Sequence, residues 1–118
     1  MAKALNVLIV EDEALISMLL EDILETLDHK VAGVAGTLDE AAVAMDRGGF
    51  DLAILDVNLG REPIWPLADR MRALNLPYIF ATGMSRADLP REHIGAGLLA
   101  KPYTMAAVEE ALKSFCES

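Results

Sequence analysis

The chain has 118 residues, enough for one compact domain and too few for two. Nineteen acidic residues against ten basic give a formal net charge of −9, which repels the phosphate backbone of nucleic acids and argues against direct DNA binding. With 53% apolar residues the chain can fill a core, no apolar run approaches the roughly 20 residues of a membrane-spanning helix, and Glu11 and Asp12 interrupt the first apolar run, so a soluble cytoplasmic protein is expected.

Ala4 to Val10 is a short apolar run rich in β-branched residues and predicts a strand. Glu13 to Leu27 repeats apolar residues at Leu15, Ile16, Leu19, Leu20, Ile23, Leu24 and Leu27, the spacing of an amphipathic helix. The alternation recurs: Lys30 to Ala35 as strand, Thr37 to Arg47 as helix, Asp51 to Leu55 as buried strand, and Trp65 to Leu74 as helix with Pro66 in its first turn. Pro77 to Ala81 predicts a fourth strand, Gly97 to Ala100 a fifth, and Met105 to Phe115 a closing helix with Val108, Leu112 and Phe115 on one side. Between the fourth and fifth strands, Gly83, Pro90, Gly95 and Gly97 interrupt any pattern, so a fourth helix there should be short or mobile. Strands alternating with helices imply a parallel sheet covered on both faces.

In an open α/β sheet the ligand site lies beyond the carboxyl ends of the strands, where the strand order reverses. Glu11 and Asp12 end the first predicted strand, Asp56 the third, Thr82 the fourth and Lys101 the fifth. Three carboxylates meeting there repel one another unless a cation is shared between them. An oxygen-only donor set favours a hard ion, and Mg²⁺ characteristically binds through one or two carboxylates while keeping waters that a phosphate ligand can displace. Taken singly these residues are unremarkable, since an acid after a strand is usually a cap or a loop residue; their conjunction at the ends of four strands carries the inference.

The order Val10-Glu11-Asp12-Glu13, Leu55-Asp56-Val57-Asn58, Phe80-Ala81-Thr82-Gly83 and Ala100-Lys101-Pro102-Tyr103 resembles a response-regulator receiver domain from end to end. The resemblance implies a flavodoxin-like doubly wound α/β fold, a five-stranded parallel sheet of order 2-1-3-4-5 with five helices. It implies that Asp56 accepts a phosphoryl group from a histidine kinase or histidine phosphotransfer protein of a two-component or phosphorelay system. Glu11, Asp12 and Asp56 would hold Mg²⁺ together with the backbone carbonyl of Asn58; Thr82 would hydrogen-bond the phosphoryl oxygens and Lys101 would pair with them. Pro102 is expected in a cis peptide, as in the family. Such a domain catalyses only its own phosphorylation and dephosphorylation and is otherwise not an enzyme. With the chain ending just past the last helix, residues 1–118 are expected to form a single receiver domain without an output domain. Its output would then be a protein contact made by the segment from Gly83 to Gly97, the fifth strand and the last helix.

Some positions depart from the common family pattern. Three residues before Lys101, where many receivers carry an aromatic readout residue, stands Leu98, and Gly60 occupies a position where proline is common. With Phe80-Ala81-Thr82-Gly83, these features resemble the FAT GUY subgroup of stand-alone receivers, and suggest that phosphorylation orders the Gly83 to Gly97 segment instead of rotating a ring. Met84, two positions past Thr82, falls where family members tune dephosphorylation. The remaining methionines read as core filler, His29 and His93 as surface residues, Trp65 as packing, and Cys116, the single cysteine, as bland.

Rival readings have discriminating residues. Haloacid-dehalogenase-type phosphatases also form an acyl phosphate on a strand-end aspartate, but need a second aspartate two positions on, where this chain has Asn58. A flavodoxin-type flavin binder needs a phosphate-cradling loop where this chain has Glu11 and Asp12. A phosphate sink, or a binding module that works without phosphorylation, would share the whole fold and is the alternative to a signal transmitter.

Overall fold

The computed structural model describes residues 4–59, 62–83, 89–93, 97–101 and 103–116. Five strands build the main sheet: β1 (Asn6–Val10), β2 (Lys30–Ala35), β3 (Leu52–Asp56), then, after a small hairpin of β4 (Asn58–Leu59) and β5 (Glu62–Pro63), β6 (Tyr78–Thr82) and β7 (Gly97–Ala100). Its order is β2-β1-β3-β6-β7, with all neighbours parallel. Numbering only the strands of this sheet, that is 2-1-3-4-5, the flavodoxin-like arrangement expected.

The two faces follow from the alternation of side chains along each strand. Val7 and Ile9 of β1, Leu52 and Ile54 of β3, and Ile79 and Ala81 of β6 point to one face. There they pack against α1 (Ala14–Thr26) through Leu20, Ile23 and Leu24, and against α4 (Met105–Cys116) through Val108 and Leu112. Leu8, Val10, Ala53, Leu55 and Phe80 point to the other, where α2 (Leu38–Arg47) contributes Ala41 and Met45, and α3 (Trp65–Ala73) contributes Leu67, Ala68 and Met71. Burial on both faces explains why these strands read as continuous apolar runs.

Helix ends obey local chemistry. The Thr37 side chain accepts the Glu40 N–H at 3.1 Å while the Glu40 carboxylate accepts the Gly36 N–H at 2.7 Å, a reciprocal cap that starts α2. Pro66 lies in the first turn of α3, as predicted. Asp28 and Asn75, just past α1 and α3, take positive φ of 68° and 59°, the left-handed turn that short polar side chains tolerate.

Several expectations need correction. The hairpin of β4 and β5 was not anticipated, because two-residue strands leave no periodic trace. Among the described residues there are four α-helices, not five; between β6 and β7 these residues hold only a 3-10 turn, Arg91–His93, closed by the His93 N–H on the Pro90 carbonyl at 2.8 Å. On α1, Leu15 and Leu19 lie on the exposed flank together with Met18, so the buried stripe is narrower than the apolar pattern. Met45 and Met71 fill the core, but Met18 and Met105 are exposed.

Neither histidine is a surface residue. His29 is half-buried, with Nδ1 accepting the Leu5 N–H at 3.0 Å and Nε2 lying 3.8 Å from the buried Cys116 Sγ, and burial lowers its pKa. His93 is 1% exposed. Both can leave the surface, His93 fully and His29 in part, because partners remote in sequence satisfy their ring nitrogens.

Gly97 of β7 stands opposite Ile79 of β6, and a Cβ placed on it would lie 2.6 Å from the buried Ile79 Cγ2. Gly97→Ala should therefore destabilise the fold by about 1–3 kcal/mol, the usual cost of overpacking, read as a lower urea midpoint. A midpoint equal to the wild type would contradict this packing.

Candidate functional site

β1 and β3 are neighbours, with Val10 opposite Leu55, so the residues that follow Val10 emerge beside the residue that closes β3. That residue is Asp56, and Glu11 and Asp12 are its neighbours: one carboxylate oxygen from each of the three lies within 4.8 Å of the others. Glu11 and Asp56 are buried while Asp12 is exposed, so the cluster has a dry floor and an open rim. Lys101 follows β7, held by its backbone N–H on the Thr82 carbonyl at 3.1 Å. Its Nζ lies 3.2 Å from Asp56 Oδ1 and 3.3 Å from Glu11 Oε2. Thr82, buried, closes β6, whose Ala81 stands opposite Asp56. Asn58 begins β4, two residues past Asp56.

The structure thus gathers Glu11, Asp12, Asp56 and Lys101 into one cluster and sets Thr82 on the adjoining strand end. Gly60, Met84 and Pro102 lie outside the described residues. Among the described residues this is the one group of three or more side chains of metal-ligating type. Three carboxylates with no histidine or cysteine among them form a hard, oxygen-only donor set that fits a divalent cation of the Mg²⁺ class.

Residues 7–113 match the family described as the response regulator receiver domain. The chain belongs to that family. The receiver is 36% identical over 113 residues to the phyllosphere-induced regulator PhyR of Methylorubrum extorquens, covering 92% of this chain and 42% of PhyR. The solution structure of SdrG from Sphingomonas melonis Fr1 superposes with a TM-score of 0.82 at 43% identity, covering 97% of this chain and 98% of that one. A BeF3-activated conformation of SdrG gives 0.81 at 42% identity, covering 94% and 95% of the two chains. The structure of the PhyR stress response regulator at 1.25 Å resolution gives 0.81 at 27% identity, covering 98% of this chain and 47% of that one. The receiver therefore spans about half the length of the PhyR proteins it matches.

The electrostatics of the receiver's site follow from like charges held close together in a partly dry place. Burial, then the hydrogen bond and the charge of Asp56, raise the Glu11 carboxyl from 4.5 to about 7, against the opposing pull of the Glu13 N–H and Lys101. Burial works against the Lys101 ammonium, but the charge and hydrogen bond of Asp56, followed by those of Glu11, more than offset it and hold its pKa above the ordinary value. Tyr103, buried, is pushed up by that burial and by the charges of Glu11 and Asp56, so its phenol stays protonated at any physiological pH. Sequence reasoning quoted Tyr103 as part of a motif and gave it no place at the site; its position two residues past Lys101 was the available signal.

The raised Glu11 pKa sets the sign of a pH dependence. The carboxyl binds its proton more tightly in the folded chain than in the unfolded one, so this contribution to stability is complete below about pH 4.5 and is lost as pH rises through about 7. In the presence of a chelator, Glu11→Gln should gain stability relative to the wild type between about pH 5 and about pH 8, measured as the difference between their urea midpoints. A difference that stays constant over this range would contradict the assignment.

Proposed function

We propose that the chain is a phosphorylation-dependent switch of a two-component or phosphorelay system, in which Asp56 accepts a phosphoryl group from a histidine kinase or histidine phosphotransfer protein. The observation that carries this reading is the Lys101 ammonium, 3.2 Å from Asp56 and 3.3 Å from Glu11 at the edge of a three-carboxylate cluster. A carboxylate meant only for stability would not be set among two others. One meant to receive a phosphoryl group needs cationic partners already in place for the oxygens that arrive with it.

In the transfer, an Asp56 carboxylate oxygen forms the new bond to phosphorus while the bond from phosphorus to the donor's imidazole nitrogen breaks and the imidazole leaves with the electron pair. Lys101, already aimed at Asp56, exchanges part of that ion pair for the phosphoryl oxygens. Glu11, Asp12, Asp56 and the Asn58 carbonyl would hold Mg²⁺, which when bound supplies further positive charge to those oxygens. Thr82 closes the strand beside Asp56, where its hydroxyl can turn toward the phosphoryl group and draw on the loop that begins at Gly83. The product is an acyl phosphate, labile enough to make the signal reversible. The domain catalyses only this addition and removal.

The receiver would work in the cytoplasm; among the described residues no helix is long and apolar enough to cross a membrane. Output would be a protein contact through the Gly83 to Gly97 segment, β7 and α4, and the likeness to PhyR favours a stress-response pathway downstream.

Intact-mass analysis after incubation with acetyl phosphate and magnesium tests the proposal. The wild type should gain one phosphoryl group and Asp56→Asn none, with Lys101→Ala slowed about 10²-fold, as when one preorganised cation or donor is removed from a developing anion. A wild type that stays unmodified, both here and with a kinase-bearing lysate, would contradict it.

A further inference from the structure

Outside the acid cluster, the most deeply buried polar side chain among the described residues is His93, 1% exposed, in the Arg91–His93 turn. Both ring nitrogens are engaged: Nε2 lies 2.8 Å from Asp69 Oδ1 on α3, and Nδ1 lies 3.2 Å from the Tyr78 hydroxyl at the start of β6. The imidazole stacks on Trp65 at 5.7 Å and 18°, and meets Phe80 edge-on at 5.3 Å and 86°. Trp65 and Tyr78 each also meet Phe80 edge-on at 5.4 Å. The ring of His93 is therefore a plug seated among three aromatic rings that belong to α3 and β6.

Its place in the chain gives this plug a purpose. Phe80 and Thr82 share one face of β6, and the chain that leaves Thr82 through Gly83 returns to the core at Leu89 and His93. Any pull on the loop from Thr82 acts against this anchorage. Phe80 stands opposite Leu98 in register, so the aromatic mass near this end of the sheet lies on β6 and α3 and not on β7. The Asp69 partner is 61% exposed, and a cleft of about 550 Å³ lined by Trp65, Asp69, Arg72, Ala73, Pro90 and His93 lies beside the ring.

We propose that His93 is the anchor of a latch that is closed in the unphosphorylated receiver, and that phosphorylation of Asp56 releases its ring from Trp65, Asp69 and Tyr78, freeing the Arg91–His93 turn from α3 and β6. This rests on the reading of Asp56 as the phosphoryl acceptor. If phosphorylation opens the latch, linkage requires that weakening the latch favours the phosphorylated state. A purely structural cluster has no such obligation, since weakening it lowers stability and leaves affinity at Asp56 unchanged.

The test uses beryllium fluoride with magnesium as the stand-in for the phosphoryl group on Asp56, with binding followed by ¹⁹F NMR and the state of the latch by the emission of Trp65, the single tryptophan. Tyr78→Phe and Asp69→Ala each remove one partner of His93 and leave the acid cluster intact. The wild type should bind with a change in Trp65 emission, and each variant should bind about fivefold more tightly, the factor that one hydrogen bond of typical net worth carries. Equal affinity in all three proteins, or an emission unchanged by bound beryllium fluoride, overturns the latch and leaves the acceptor reading standing. No binding to the wild type, with no phosphoryl gain from acetyl phosphate, overturns both.

Discussion

Like-charge repulsion at the carboxyl ends of β1 and β3 is the constraint on which the rest of this molecule depends. Two unit charges about 4 Å apart interact by about 4 kcal/mol at the effective dielectric typical of a protein surface. Whole domains are stable by only about 5–15 kcal/mol. Glu11, Asp12 and Asp56 offer oxygens within 4.8 Å of one another, so the cluster would be a serious liability without compensation. The compensation is visible: Glu11 holds a proton up to about pH 7, and Lys101, following the edge strand β7, reaches two of the three acids. A site that strains against its own charge is poised to accept cationic help, which a divalent ion would bring.

Holding such a cluster together requires a scaffold that does not yield. The sheet provides it by burying β1, β3 and β6 on both faces, so that the strand ends carrying Glu11, Asp56 and Thr82 are fixed by core packing and backbone pairing. Lys101 is tied by its own backbone to the Thr82 carbonyl, which couples the lysine and the threonine through one hydrogen bond. The acid cluster sits on these rigid strand ends. The chain that leaves Thr82 through Gly83 rejoins the core at Leu89 and at the aromatic seat of His93. The switch proposed for this chain would require such a division between fixed strands and their connection, because its two states must differ in contacts away from the chemical group that is changed.

Much of this was legible in the sequence, and the reasons are specific. Strands buried on both faces write themselves as unbroken apolar runs, so β1 and β3 were recognisable, and the polar residues that end them stood out against those runs. The Thr37 and Glu40 cap and Pro66 marked helix starts by local chemistry alone. What stayed hidden depends on three-dimensional partners. The β4 and β5 hairpin is too short to carry a period, and the exposure of Leu15 and Leu19 depends on which part of a broad apolar stripe meets the sheet. His93 looked like a surface residue because its partners, Trp65, Asp69, Tyr78 and Phe80, come from α3 and β6. Tyr103 enters the electrostatics of the site only because the fold brings it near Glu11 and Asp56.

The central claim, that these carboxylates are held in mutual repulsion which a divalent cation relieves, is tested most directly by the protons released when magnesium binds. Titration calorimetry at about pH 6.5 in two buffers of different ionisation enthalpy counts them, because a cation that binds Glu11 must displace the proton its raised pKa retains. The account predicts a fractional proton release in the wild type that disappears at about pH 9 and in Glu11→Gln. Magnesium binding without proton release at the lower pH, or release unchanged in Glu11→Gln, would contradict it.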